Sequence, residues 1–375
     1  MKRLELLDTT RLVAAVMVVF FHWTFNGINN GKIGTIDHPP SISQVTQYGY
    51  WGVTLFFLIS GFVISYSIQS KTARQYVTAR LTRLYPAFWV CLLLTTAVAL
   101  LVRPGRGMDI QGPAQFFANL TMVPNLLGQD YVDGAYWTLG FELFFYFIVL
   151  LIMLIGLANY LTPIMIGWAF LCAADEFLIR HQDYFITSRP FPAFIGGALI
   201  ASYVFGHRSV FKLLAISCAW LCTISSEVGY SKLLEAIHHR NYSSIVVALL
   251  VTCFFAILML NAIPRIRFIK IPHSRLAGDL TYPLYLLHAH LGYMAISMWA
   301  KLVRPELFLL FVVLQLAIFM LLSYCVNRYA ERALRKFWKI FFDRTFGSVI
   351  EGIDKLFIQV LPYRRTSPPF KEYKI

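Results

Sequence analysis

Charged side chains are scarce in this sequence: Asp, Glu, Lys and Arg make up 14% of its 375 residues, while 58% of the residues are hydrophobic. A soluble globule of this size needs more polar residues to cover its surface. The composition therefore excludes an ordinary water-soluble protein and predicts that lipid surrounds most of the chain.

Acidic residues are scarcer than basic ones, with 19 Asp and Glu against 33 Lys and Arg and a formal net charge of +14. In a soluble protein this excess could indicate a nucleic-acid partner. Here the basic residues lie in short segments between apolar runs, which is typical of membrane orientation. We therefore expect a lipid bilayer as partner and no nucleic acid.

Metal-binding spacings are also missing. The six cysteines lie inside apolar segments, without a C-x-x-C pair or a His/Cys spacing that would hold zinc. We expect no metal site and no permanently bound cofactor. The first apolar run, residues 12–25, lacks a small-residue cleavage site and precedes many further spans, so we expect it to be a retained helix.

What the chain has instead is a succession of apolar runs bounded by Pro, Gly or charged residues. A helix needs about 20 mostly apolar residues to cross the hydrocarbon. Ten segments qualify, and they predict an all-α, polytopic integral membrane bundle of about ten transmembrane helices. The segments cover approximately residues 10–27, 50–68, 84–102, 136–157, 162–179, 190–206, 210–226, 243–263, 281–300 and 307–326.

The distribution of Lys and Arg sets the expected orientation. With both termini cytoplasmic, the inner segments hold 24 of the 33 basic residues and the outer loops nine. We expect a transmembrane domain over residues 1–326, a cytoplasmic amphipathic segment along the membrane surface over 327–361, and a disordered basic tail over 362–375. We find neither an internal repeat nor a loop long enough to fold separately, so any chemistry must lie within the bundle.

Ionisable side chains inside a span are costly and usually functional, and three of those in the predicted spans stand out: His22, Glu142 and His288. His22 lies eleven positions after Arg11, which places both on nearly the same helix face, about 16 Å apart. Glu142 lies five residues below Trp137, at a depth similar to that of His22. A carboxylate there could orient a histidine base, although a purely structural hydrogen bond has the same spacing.

Arg80 and Arg83 lie three residues apart and share a face at the cytoplasmic start of the third span. Together with Arg11 they could bind phosphate groups, because guanidinium groups hold phosphate bidentately. The alternative is ordinary anchoring by positive residues at the inner interface.

Several ordered segments resemble the acyltransferase 3 family of membrane O-acyltransferases. Arg11 and His22, with ten residues between them, match the Arg/Lys-to-His signature of that family. Five further segments are similar to family motifs, namely Gly52–Phe62, Arg80–Pro86, Trp137–Glu142, Arg189–Gly196 and Leu280–His288. The chain departs from the family pattern at Thr9, Thr10 and Leu12, which are close to Arg11.

The resemblance implies a ten-helix domain that takes an acyl group, commonly acetyl, from cytoplasmic acyl-CoA. On this hypothesis acyl-CoA (acetyl-CoA) is the co-substrate, bound near Arg11, Arg80 and Arg83, and His22 is the general base oriented by Glu142. The sequence leaves an acyl-histidine intermediate open.

Other candidates for substrate or channel contact are Arg189, Trp137, Tyr285 and His288. We expect His288 to lie in the inner half of its helix, far below His22, with a packing or donor-channel role. The acceptor is expected to be a carbohydrate or glycolipid, the location a bacterial inner membrane, and a homo-oligomer is left open. The rival hypothesis is a proton-coupled transporter or exporter of a small or glycan-linked solute, since intramembrane His and Glu also serve proton relays.

Overall fold

The computed structural model describes residues 3–36, 41–68, 71–179 and 185–361, and within these ranges it contains helices and turns but no strand. We number the main helices in chain order. They are α1 Glu5–Asn29, α2 Ser43–Ser67, α3 Ala73–Val102, α4 Pro113–Asn119, α5 Gly134–Leu154, α6 Ala158–Ile179, α7 Pro190–Phe205, α8 Val210–His238, α9 Ser244–Ala262, α10 Ser274–Leu287, α11 His290–Trp299, α12 Pro305–Arg332, α13 Arg335–Phe342 and α14 Ser348–Val360.

Eight helices in the described part of the chain are long and apolar enough to cross a membrane: α1, α2, α3, α5, α6, α8, α9 and α12. The prediction of an all-helical membrane bundle is confirmed. The two other predicted spans have different forms. The first, α7, is an apolar helix of 16 residues, and the second is divided into the shorter helices α10 and α11. The count of ten spans and the sides of the termini stay predictions.

Helix α3 begins eleven residues before the predicted span because a polar cap fixes its start. The Thr72 hydroxyl accepts a hydrogen bond from the Gln75 amide N–H at 3.2 Å, and the Gln75 side chain accepts one from the Thr72 N–H at 3.2 Å. This reciprocal pair satisfies N–H groups that have no partner within the helix. The added turns carry Arg80 and Arg83.

Helices α2 and α7 pack closely through two glycines. A Cβ atom at Gly61 would lie 1.9 Å from the Phe194 carbonyl oxygen, and one at Gly197 would lie 1.9 Å from the Leu58 carbonyl oxygen. Only glycine permits this approach, which is the usual route to close helix packing in membranes. The contact holds α7 at the centre of the bundle, where most of its residues are buried.

The end of α1 is widened into a π-helical turn over His22–Asn26. Such turns are rare and are frequent at functional sites. The Asn26 side chain fixes this turn, because its Nδ2 donates to the Tyr293 hydroxyl at 3.0 Å and its Oδ1 lies 3.1 Å from His238 Nε2. The turn therefore holds His22 in a position that a regular helix would not give it.

The break between α10 and α11 is stabilised by residues from two other parts of the chain. Trp23 Nε1 donates to the His288 carbonyl at 2.6 Å, at the end of α10. Asp133 Oδ2 accepts from the His290 N–H at 2.7 Å, at the start of α11. The backbone groups left free at the two helix ends thus have hydrogen-bond partners, which buried helix ends require.

Helices α13 and α14 pack beside the start of α3. Arg74 forms ion pairs with Asp343 and Glu351, and Trp338 packs against Trp89 with ring centroids 5.6 Å apart. The last span continues to Arg332, six residues past the predicted boundary at 326. The location of 327–361 on the membrane surface stays a prediction, and the predicted tail 362–375 lies outside the described residues.

Candidate functional site

The structure brings the three predicted donor-binding arginines into one cavity. We call it the arginine cavity; it comprises about 740 Å³ of space between α1, α2, α3, α5 and α10, and part of this space is open to solvent. Its polar lining includes Arg11, Ser60, Arg80, Arg83, Glu142, Tyr146, Tyr282 and Tyr285. Residues separated by up to 274 positions in the chain therefore face one space.

Arg80 is buried and only partly satisfied. Its Nη2 donates to Ser67 Oγ at 2.5 Å, and its guanidinium lies 5.4 Å from the Tyr146 ring centroid and 5.7 Å from that of Tyr76. The Arg80 Nε–H has no hydrogen-bond partner within the described part of the chain. A buried donor without a partner is costly, and a ligand oxygen could satisfy it.

Arg83 is exposed at the mouth of the arginine cavity and lines a second, larger space as well. We call this second space the basic cleft, and it comprises about 2160 Å³, part of which is open to solvent. Its charged lining consists of Arg3, Lys71, Arg80, Arg83, Arg275, Asp279, Glu331, Arg332, Arg335, Lys339 and Asp343. Because Arg80 and Arg83 line both spaces, the cleft and the cavity adjoin.

The charges of the basic cleft are strongly unbalanced. Eight of its lining residues are basic and three are acidic. Two of the acids are already paired, Asp279 with Arg332 and Asp343 with Arg74. The hydrogen bond from Arg74 holds the pKa of Asp343 below its ordinary value, so this carboxylate stays ionised and committed to its partner. The remaining basic groups can attract an anion.

His22 contacts His288 rather than Glu142. The His22 and His288 rings are perpendicular with centroids 4.7 Å apart, and His288 Nε2 lies 3.3 Å from His22 Nδ1. His22 Nδ1 also lies 2.8 Å from the Val18 carbonyl oxygen, and His288 Nδ1 lies 2.6 Å from the Tyr285 carbonyl oxygen.

These contacts assign the tautomers of both imidazoles, because a carbonyl oxygen can only accept. His288 Nδ1 carries a hydrogen for Tyr285, which leaves its Nε2 as an acceptor. His22 Nδ1–H points to Val18 and His288. His22 Nε2 then has a lone pair and no hydrogen-bond partner among the described residues, which is the form that a general base requires.

The predicted pairing of Glu142 with His22 is not present. Glu142 Oε1 accepts from Ser60 Oγ at 2.9 Å and from the Tyr146 hydroxyl, within the arginine cavity. The prediction assumed that Trp137 marks the membrane edge. Trp137 instead packs inside the bundle against Phe57, with ring centroids 6.3 Å apart. Glu142, five residues further along α5, lines the same cavity as the arginines.

The expected position of His288 is also wrong. It was expected far below His22, and it lies in contact with it. The reason is that α10 begins at Ser274, not at residue 281, so His288 follows a helix of 14 residues, about 21 Å long. Tyr285, one turn earlier, lines the arginine cavity and shares a 2.8 Å hydrogen bond with Thr138. The two histidines therefore lie beside the end of that cavity.

Arg189 is occupied by other protein groups. It pairs with Glu227 at 3.0 Å, donates to the Tyr50 hydroxyl at 2.8 Å and lies 3.6 Å from the Tyr230 ring centroid. Its guanidinium is also 5.7 Å from the ring centroid of Trp137. Neither Arg189 nor Trp137 lines the arginine cavity, so the structure does not bring these two predicted contacts to it.

Sequence reasoning missed several residues of the site. Tyr146 lies one turn after Glu142, and that i,i+4 spacing could have revealed it. Ser60 lies in an apolar run where a hydroxyl gives little signal. Lys71 and Lys339 were counted only as orientation charges, because nothing in the sequence shows that they face one cleft with Arg80.

Comparisons with known proteins give the context of this geometry. A family model described as an acyltransferase domain matches residues 4–328. Nodulation protein 10 of Rhizobium leguminosarum bv. viciae is 29% identical over 160 residues, covering 37% of this chain and 41% of that protein. The match thus spans less than half of that relative's length. No solved structure matches the chain.

Proposed function

Since the chain belongs to the acyltransferase 3 family of membrane acyltransferases, we propose that it moves an acyl group, acetyl in the first instance, from acyl-CoA to a hydroxyl of a sugar-containing acceptor. The observation that carries this proposal is that the basic cleft adjoins the arginine cavity, and that Tyr285 of the cavity lining lies 5.3 Å from His288 between ring centroids. The cleft suits a polyanionic donor, the cavity suits the acyl-bearing arm, and the His22–His288 pair supplies a base.

The donor end of the proposal rests on charge. Coenzyme A carries several phosphate charges, and the basic cleft offers an excess of unpaired cations. Arg83 is exposed to the cleft, and the buried Arg80 has a free N–H. Bidentate guanidinium contacts to phosphate are among the stronger charge-assisted hydrogen bonds. The thioester arm would then extend past Tyr146 and Tyr285 toward the histidines.

The chemical step needs only groups that this site and the two substrates supply. His22 Nε2 takes the proton of the acceptor hydroxyl as its oxygen attacks the thioester carbonyl carbon. The new C–O bond forms, the C–S bond breaks, and the coenzyme A thiolate receives the proton from the imidazolium. Val18 and His288 stabilise that imidazolium by accepting from its Nδ1–H.

Glu142 takes a different part in this mechanism from the one predicted. It accepts hydrogen bonds from Ser60 and Tyr146 and lies in the same cavity as Arg11. Its carboxylate therefore fixes the side chains of Ser60 and Tyr146 in the arginine cavity. The His22 imidazolium is stabilised by His288 and the Val18 carbonyl instead.

The decisive experiment uses purified protein in nanodiscs with labelled acetyl-CoA and no ion gradient. We expect release of coenzyme A and transfer of the label to a carbohydrate acceptor, and loss of both in His22→Ala. A transporter would bind or move solute without consuming the thioester. Intact acetyl-CoA after prolonged incubation with a panel of glycans would reject the proposed activity.

A further inference from the structure

A half-buried lysine lies at the end of the bundle opposite the basic cleft. Lys32 follows the last turn of α1, whereas Arg3 of the cleft precedes its first turn. The 25 residues of α1 separate the two ends by roughly 37 Å at 1.5 Å per residue. Lys32 therefore belongs to a different surface from the one proposed for the donor.

The ammonium of Lys32 is held by a neutral imidazole. Its Nζ lies 2.7 Å from His290 Nε2, and His290 Nδ1 lies 2.9 Å from the Val132 carbonyl oxygen. The carbonyl can only accept, so His290 Nδ1 carries the hydrogen and Nε2 accepts from Lys32. Two of the three ammonium hydrogens remain without a hydrogen-bond partner in the described part of the chain.

The carboxylate next to this pair is already committed. Asp133 is fully buried, and it accepts from the His290 N–H at 2.7 Å and from the Ala135 N–H at 2.8 Å. It forms no ion pair with Lys32 within 4 Å in the described residues. Burial lowers the pKa of Lys32, and the charge of Asp133 offsets only part of that effect. A further anion would stabilise the ammonium.

A second cation lies in the same region. The Arg106 guanidinium packs on Gly34, two residues after Lys32, where a Cβ atom would lie 1.4 Å from Arg106 Nη1. Arg106 makes no ion pair among the residues that the structure describes. Two basic groups from separate loops thus lie near the same end of α1, and neither has an acidic partner among the described residues.

This region adjoins the reaction centre. Tyr293 lies between two histidines, with its ring centroid 5.9 Å from that of His22 and 6.2 Å from that of His290. His290 is also only two residues past His288, across the helix break. The Lys32–His290 pair is thus one aromatic ring, that of Tyr293, away from His22.

We propose that Lys32, held by His290 and assisted by Arg106, binds an anionic group of the acceptor, so that the acceptor is an acidic carbohydrate carrying a carboxylate or phosphate. The inference rests on the proposed function, since it assigns the acceptor class for the same reaction centre. The donated hydrogen bonds would be charge-assisted at both partners, which makes them the stronger kind.

Binding of two matched sugars tests the site directly. The full-length protein, in nanodiscs of phosphatidylcholine, is titrated with a glucuronic-acid-terminated disaccharide and with its glucose-terminated counterpart. We expect the glucuronoside to bind about tenfold more tightly or better, and this ratio to fall as salt rises from 50 to 500 mM. Equal affinities for the two sugars would overturn the inference.

The variants separate a binding role from a structural one. Lys32→Met should bring the affinity ratio close to one, while Lys32→Arg should retain most of it. Lys301→Met removes an exposed lysine from the α11–α12 connection and should change nothing. If Lys32→Met fails to insert, the Arg variant and the salt dependence of the wild-type protein still decide the question.

Two further arms of the experiment show whether the bound anion is a lipid headgroup or a sugar, and whether the anion site or the proposed acyltransferase activity is wrong. The first arm measures whether the protein retains phosphatidylglycerol. If retention depends on Lys32 and the protein shows no preference for the glucuronoside, the site binds lipid headgroups and the acceptor assignment fails. Acetyl transfer without a charge preference would leave the proposed function intact and reject the subsite. A charge preference without any consumption of acetyl-CoA would support the anion site and reject the proposed function.

Discussion

At the scale of single residues, His22 depends on His288 and Val18 for its orientation. A carbonyl and a neutral imidazole both accept from its Nδ1–H, at 2.8 and 3.3 Å. This arrangement fulfils the part that a carboxylate has in a Ser-His-Asp triad, although without a full negative charge. Two expectations about rates follow from it.

His22→Ala should lower the transfer rate by about 10²–10⁴-fold, because that is the usual contribution of a general base. Donor binding should be retained, since the basic cleft does not include His22. The check is kcat together with the affinity for labelled acetyl-CoA. Activity within about tenfold of wild type would remove His22 from the mechanism.

His288→Gln should lower kcat less than His22→Ala, because the Val18 carbonyl still fixes His22 Nδ1–H. In the double variant the second change should add little, since residues that act as a unit are not additive. Glu142→Gln serves as the comparison: its partners are Ser60 and Tyr146, so the pH dependence of kcat should keep its midpoint. A shift of that midpoint in Glu142→Gln would indicate that Glu142 acts on His22, as the sequence predicts.

Lys71 gives the basic cleft a pH dependence. Burial lowers the pKa of its ammonium below the ordinary value, and the neighbouring charge of Arg80 lowers it further. Lys71 therefore loses its proton at a lower pH than a free lysine, and donor affinity should weaken as the pH rises through that range. Lys71→Arg should abolish this decline, because guanidinium stays protonated. Affinity for acetyl-CoA between pH 7 and pH 10 is the measurement.

At the scale of helices, the apolar runs predicted most elements, and the polar caps decided where they begin. Hydropathy located the spans because lipid demands long apolar helices. It could not locate the start of α3, which depends on Thr72 and Gln75, or the start of α10 at Ser274. These two shifts move Arg80, Arg83 and His288 relative to the rest of the site.

The helix break at His288–His290 could not be predicted from its own sequence. It depends on Trp23 and Asp133, which are far away in the chain and satisfy the two free helix ends. The grouping of Arg11 with Arg80 and Arg83 was predictable, because all three lie at the same ends of their spans. The partner of His22 was not, because it depends on the start of α10 at Ser274 and on the π-helical turn at His22–Asn26.

Helix α3 should bind donor through its unpaired arginines. Arg80→Ala and Arg83→Ala should each weaken acetyl-CoA binding by about tenfold or more, as loss of a charge-assisted contact to phosphate does. The matched control is Arg265→Ala, which removes an exposed arginine that does not line the cleft. Replacing both arginines by Lys should keep part of the affinity and steepen its fall with salt. Equal losses in the Arg265 variant would indicate only a general charge effect.

At the scale of the whole molecule, two basic regions lie at opposite ends of the bundle. The basic cleft includes residues before α1 and after α12, and the Lys32–His290 pair lies beyond the last turn of α1. The His22–His288 pair lies between them, at the break of a helix. Under the two proposals above, donor and acceptor would approach the His22 imidazole from opposite ends of the bundle.

The side of donor binding follows from this layout and from the distribution of charge. The 24-to-nine bias of Lys and Arg predicts cytoplasmic termini, and the basic cleft is lined by residues near both ends of the bundle sequence. Acetyl-CoA does not cross a bilayer, so it should bind only where the cleft is accessible. We expect labelled acetyl-CoA to bind to inside-out vesicles and not to right-side-out vesicles. Arg80→Ala,Arg83→Ala vesicles should show little binding in either orientation, and the Arg265→Ala protein should behave as wild type. Binding confined to right-side-out vesicles would reverse the topology and leave the cleft's role unchanged. Binding in both orientations that survives loss of the two arginines would reject the cleft as the donor site.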